Sequence, residues 1–173
     1  MALTTQEGKI LKSIVIPSEN NPSRPEFPPG NPKFPATPTF KIDVPGFSNV
    51  WLKDESVNPT GTHKDRMAWE MVVTYRDILL AKKQGQMKRE LPQLSIISSG
   101  SAAIAIQAML RKYGLPDLKV LVDADTSQAT LLALRKIGCE IYETDLSKKP
   151  FHWKEILALT HNQNGFDITS NEA

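Results

Sequence analysis

Cysteine is nearly absent: Cys139 is the single thiol in 173 residues. One thiol closes no internal disulfide, so an oxidising compartment is not implied and a cytoplasmic location is expected. Long apolar runs are missing. None approaches the roughly 20 residues that a membrane-crossing helix needs, so no membrane span is expected. The start, Met1-Ala2-Leu3-Thr4-Thr5-Gln6-Glu7, lacks a basic stretch followed by an apolar one, and no secretory signal is read there. Charge of one sign is also lacking. A net charge of +2 gives no reason to expect a nucleic-acid partner. The small cluster Lys82-Lys83 with Lys88-Arg89 reads as a helix end entering an exposed loop, because a phosphate footprint needs several clustered contacts. His63, His152 and His161 have no paired ligand at helical spacing, so no metal site is expected.

Glycine is sparse: there are nine, and no two are adjacent. The Walker A spacing is therefore absent. What is there fits an ordinary globular composition, 40% apolar and 23% charged, in a chain long enough to bury a core. Proline is crowded toward the start, with ten of 13 in the first 60 residues. The densest stretch, 17–38, can be neither a helix nor an interior strand, so an extended N-terminal arm is expected over 1–38.

Beyond Pro38 the pattern becomes regular. Short strands are expected at 39–42 and 49–53. A helix follows at about 64–83, with Met67, Met71, Tyr75, Ile78 and Leu79 at helical spacing and Gly85 as a stop. Strands at 94–98, 118–122 and 140–143 alternate with helices at 102–113 and 128–137, and a last helix is expected at 151–162. Strand, helix, strand with short links predicts an α/β fold of βαβ units on a parallel sheet. The helix at 102–113 is apolar nearly all round and should be buried on most sides.

Two segments could carry chemistry. The first is the polar loop Asn58-Pro59-Thr60-Gly61-Thr62-His63-Lys64-Asp65-Arg66, which feeds a helix. Thr62 is a candidate N-cap and Asp65 suits the first turn, whereas Lys64 is a cation opposed by the helix dipole. That placement favours a neutral amine, the form that attacks a carbonyl carbon; a lysine turned to solvent is the plainer alternative. The second segment is Ser98-Ser99-Gly100-Ser101-Ala102, between a strand end and the apolar helix. Free amides there suit a carboxylate or phosphate. Simple capping by Ser99 or Ser101 is the plainer reading.

The first segment resembles the cofactor-lysine motif of fold-type II pyridoxal-phosphate enzymes, the tryptophan-synthase-β-like superfamily. Its Asn-Pro-Thr-Gly wording is most similar to threonine synthases. The second resembles the family's Ser-Gly-Asn loop, and Thr37-Pro38-Thr39 resembles its Thr-Pro-Leu segment. Lys119-Val120-Leu121-Val122 followed by Leu134-Arg135-Lys136-Ile137-Gly138-Cys139-Glu140-Ile141 resembles the next βαβ unit.

The resemblance implies a lyase or synthase that eliminates or replaces a group at the β or γ carbon of an amino acid. Pyridoxal phosphate would be held by Lys64 as a Schiff base, with Ser101 facing the cofactor ring. Ser98, Ser99, Gly100 and Ala102 would hold the substrate carboxylate. Residues 39–84 would begin the larger domain, 85–150 would form the smaller one, and 151–173 would begin the return to the larger. Two differences stand out. Ser101 occupies the family's Asn position, and the family's glycine-rich phosphate loop has no counterpart among nine isolated glycines. The expectation is therefore the N-terminal part of such an enzyme, either a fragment of a longer chain or one half of a split one that works with a C-terminal complementary polypeptide, in a family of homodimers. A catalytically inactive fragment or binding module that keeps the fold is the alternative.

Overall fold

The computed structural model describes residues 4–13, 34, 36–88, 91, 93–98, 100–146, 155 and 165–167. Most of the proline-rich stretch and all of the expected last helix except Glu155 lie outside the described residues.

The first described element is a helix that the sequence reading missed, α1 (Thr5–Ser13). Its start carries a capping box. Glu7 accepts from the backbone N–H and the hydroxyl of Thr4, and Thr4 Oγ1 accepts from the N–H of Glu7. Leu11 buries against Ile78, Ala81 and Met87 in a small second core.

The two short strands form an antiparallel hairpin, β1 (Thr39–Val44) and β2 (Phe47–Lys53). Pro45 and Gly46 make the turn, and Gly46 adopts φ +85°, which a side chain would resist. Phe40 faces Leu52 and Ile42 faces Val50, giving one apolar side on which Phe40 and Leu52 are exposed.

Helix α2 (Lys64–Lys83) matches the expected span. Its buried side matches the expected stripe in part: Tyr75 and Ile78 are buried. Ala68, Trp69, Val72 and Val73 are the most enclosed apolar residues of its first half, while Met67, Met71 and Leu79 pack at the core's margin. The reason is that α2 is covered by both α1 and the next helix, so its enclosed arc is wider than one stripe. That arc includes the buried pair Arg76 and Asp77, joined at 2.8 Å, with the Arg76 guanidinium 4.7 Å from the Tyr113 ring.

The remainder is a four-stranded parallel sheet. It is built from β3 (Gln93–Ile97), α3 (Ser101–Lys112), β4 (Lys119–Asp123), α4 (Gln128–Ile137), β5 (Glu140–Thr144) and β6 (Gly165–Asp167). The spatial order is β5-β4-β3-β6, every neighbouring pair parallel. Leu94, Ile96, Leu118, Val120 and Val122 join residues of α2, α3 and α4 in one core. As expected, α3 is enclosed on most sides: Ala103, Ala105, Ile106, Met109 and Leu110 are buried. Its one fully buried polar residue, Gln107, donates to Asp117 and accepts from the Leu118 N–H. Helix α4 starts at Ser127, whose hydroxyl accepts from the Thr130 N–H, and ends at Gly138 with φ +95°. No described helix is long and apolar enough to cross a membrane.

Candidate functional site

The strand order reverses at β3: β4 and β5 lie to one side and β6 to the other. In open α/β sheets, ligands bind outside the carboxyl ends of strands at such a reversal. At the carboxyl end of β3 stand Ser98, Gly100, Ser101 and Ala102. Ser99 lies outside the described residues.

Helix α3 begins at Ser101 with Gly100 as its N-cap, so the hydroxyl of Ser101 is inside the helix and caps nothing. The Ser98 hydroxyl accepts from the Gly100 N–H at 3.3 Å. The Gly100 carbonyl takes the Ile104 N–H, while the amides of Ser101, Ala102 and Ala103 have no partner among the described residues. Amides at the positive end of a helix without a partner among the described residues are suited to a carboxylate.

The lysine loop is built differently, from side chains bonding back to backbone. Asn58 is buried and donates to Glu55 at 2.7 Å and to the Thr62 carbonyl at 3.0 Å. Its own carbonyl receives the Gly61 N–H, and Gly61 takes φ +74°. Asp65, almost fully buried, accepts from the N–H and the hydroxyl of Thr60. Lys64 is the first residue of α2, and His63 rather than Thr62 is the N-cap. Thr62 sits one position too early for that role, and its hydroxyl accepts from the Lys64 N–H at 3.2 Å. The Lys64 side chain is partly buried, and its amine forms no hydrogen bond or ion pair with a described residue. An amine with no partner in a braced loop fits a group that reacts with amines.

One carboxylate ties this loop to the strands. Glu55 receives Arg66 Nε at 2.8 Å, Thr37 Oγ1 at 2.9 Å and the Asn58 amide, and Lys53 Nζ stands 3.6 Å away. The Arg66 hydrogen bond is the largest influence on the Glu55 carboxyl; desolvation, the next largest, opposes it, and the Asn58 and Thr37 hydrogen bonds join Arg66 in pulling the carboxyl down to about 2. Sequence reading quoted Asn58 and Arg66 within the lysine segment without giving them a role, and did not single out Glu55. The signal was weak, since Glu55 and Arg66 are eleven positions apart and only folding brings them together.

No hydrogen bond or ion pair joins Lys64 to Ser98, Gly100, Ser101 or Ala102. The two segments are linked through the packing of α2 on α3.

Residues 33–166, more than half of the chain, match the family model described as pyridoxal-phosphate dependent enzyme. The chain belongs to that family. It is 34% identical over 109 residues to cysteine synthase B of Escherichia coli, covering 61% of this chain and 33% of that protein. With cysteine synthase of Aquifex aeolicus it shares 30% identity over 103 residues, 60% of this chain and 29% of the relative. Among solved structures, a hydrogen sulfide-producing enzyme from Fusobacterium nucleatum superposes with a TM-score of 0.54 at 24% identity, covering 76% of this chain and 41% of that one. The chain spans about a third of the length of the curated relatives it matches. The family uses pyridoxal phosphate, and the α/β fold with its parallel sheet is the one its solved members share.

Proposed function

We propose that this chain carries the lysine-bearing portion of a pyridoxal-phosphate-dependent lyase or synthase that eliminates or replaces a group on an amino acid. The observation that carries the reading is Lys64: an amine without a partner among the described residues, on the first residue of a helix, behind a loop held by Asn58, Thr62 and Asp65. The cofactor, when bound, supplies an electron sink for the substrate's α carbon. Lys64 Nζ would hold it and would then give and take the proton at that carbon. The backbone amides of Ser101 and Ala102, with the Ser98 hydroxyl, Ser99 and Gly100, would orient the substrate carboxylate. Ser101 would face the cofactor ring with one hydroxyl.

Relatives named cysteine synthase favour replacement at the β carbon. The wording Asn58-Pro59-Thr60-Gly61 is what favours a threonine-synthase-like γ reaction. A single thiol agrees with a cytoplasmic location, and the resemblance to the family suggests a homodimer for the complete enzyme. The phosphate cradle would come from the complementary portion, on this or a second polypeptide.

The test is to add pyridoxal phosphate, reduce with borohydride and map the modified lysine. Lys64 should carry the label, and Lys64→Ala should lose the accompanying visible absorption band. An unlabelled Lys64 with the complementary portion present would sink the reading. A second reading, a binding module that kept the fold without the chemistry, draws on Ser101 and the isolated glycines. It predicts no turnover when every complementary portion is supplied.

A further inference from the structure

We infer that Glu55 is a positioning residue for Lys64, clamping the lysine loop and the start of α2 onto the segment ahead of β1. The inference rests on the reading of Lys64 as the reactive amine.

A carboxylate offers about four lone-pair sites, and Glu55 uses three for hydrogen bonds and meets a cation beside them. Oε1 faces the Thr37 hydroxyl and the Lys53 ammonium, and Oε2 faces the Asn58 amide and Arg66 Nε. Thr37 Oγ1 in turn accepts from the second arm of Arg66 at 2.9 Å, closing a ring of three side chains. The Arg66 guanidinium also lies 5.0 Å from the Phe34 ring, which meets Trp69 edge-on.

Lys64 is held from both sides by this one carboxylate. On the chain before it, hydrogen bonds run from Glu55 to Asn58, from Asn58 to the Thr62 carbonyl, and from the Thr62 hydroxyl to the Lys64 N–H. On the chain after it, Arg66 is bound directly, two residues into the same helical turn. Neither Glu55 nor Arg66 belongs to a hydrophobic core. What the pair adds is local order in residues 58–66. A side chain that reacts in one orientation gains from a fixed origin.

Glu55→Gln is the sharp substitution. It keeps the shape and can leave an oxygen on Asn58 and Arg66, but it removes the negative charge that Arg66 meets and turns an amide N–H toward the Thr37 hydroxyl and the Lys53 ammonium. Amide hydrogen exchange and borohydride trapping of pyridoxal phosphate are measured on the full chain, with Glu143→Gln as a surface control. In Glu55→Gln the Gly61 and Lys64 amides should exchange about tenfold faster, the factor that one lost charge-assisted hydrogen bond implies. Exchange in the α3–β4 core should be unchanged. The ratio of label on Lys64 to label on the exposed Lys136 should fall by a similar factor. Thr37→Val, which removes only the bridging hydroxyl, should give the same pattern at smaller size. Unchanged exchange at Gly61 and Lys64 overturns the inference. So does faster exchange with an unchanged labelling ratio, since that is a structural role alone. If the parent chain shows no preference for Lys64 even with the complementary portion present, the proposed function fails, while the exchange arm still decides whether Glu55 is the clamp.

Discussion

Arg66 Nε donates to Glu55 Oε2 at 2.8 Å, and this contact joins the helix that bears Lys64 to the end of the β hairpin. Its acid behaviour follows from sign. The Glu55 carboxyl is held at about 2, below the ordinary 4.5, first by the Arg66 hydrogen bond and then by those from Asn58 and Thr37. A lowered value in the folded chain means stability that is complete above the unfolded value and lost as pH falls toward the folded one. A side-chain carbon NMR titration should therefore find Glu55 ionised at about pH 3.5, where ordinary glutamates are mostly protonated. A midpoint near the ordinary value would show that the Arg66 bond does not persist in solution.

Gln107 is fully buried on α3, and its amide joins the Asp117 carboxylate to the Leu118 N–H at the start of β4. Gln107→Leu keeps the bulk but leaves the Leu118 N–H without an acceptor. The expected cost is about 1–3 kcal/mol. Urea unfolding should show a lower midpoint with an unchanged slope. An unchanged midpoint would mean that water or another group takes the bond.

Cys139 lies buried between α4 and β5, and burial pushes its thiol up to about 12. The negative charge of Asp117 acts in the same direction, and Arg111 opposes it. The thiolate is the reactive form, so a disulfide reagent at neutral pH should leave the folded chain untouched and titrate one thiol after unfolding in urea. Fast reaction in the folded state would contradict this.

Much of the architecture was legible because it rests on local rules. Gly138 ends α4 by taking a left-handed conformation, and the run 94–97 forms a buried strand by composition. The α2 span was set by the loop before it and by Gly85 after it. Helix α1 was missed although Thr4 and Glu7 carry the capping-box spacing; its tertiary anchor is Leu11, with Ile10 packed beside the same small core. The short strand β6 was missed because three residues carry no periodicity, and its place is set by pairing with β3.

The sequence by itself determined the family's lysine motif, its helix and the βαβ alternation, because each depends on residues close together in the chain. Tertiary structure decided how Lys64 is braced. Thr37, Glu55 and Arg66 meet through contacts spanning 11 to 29 positions, and hydrogen-bond geometry across such distances is fixed only when the strands and helix have packed. It also decided that α2 buries a wide arc rather than one stripe, because the arc depends on which helices cover it.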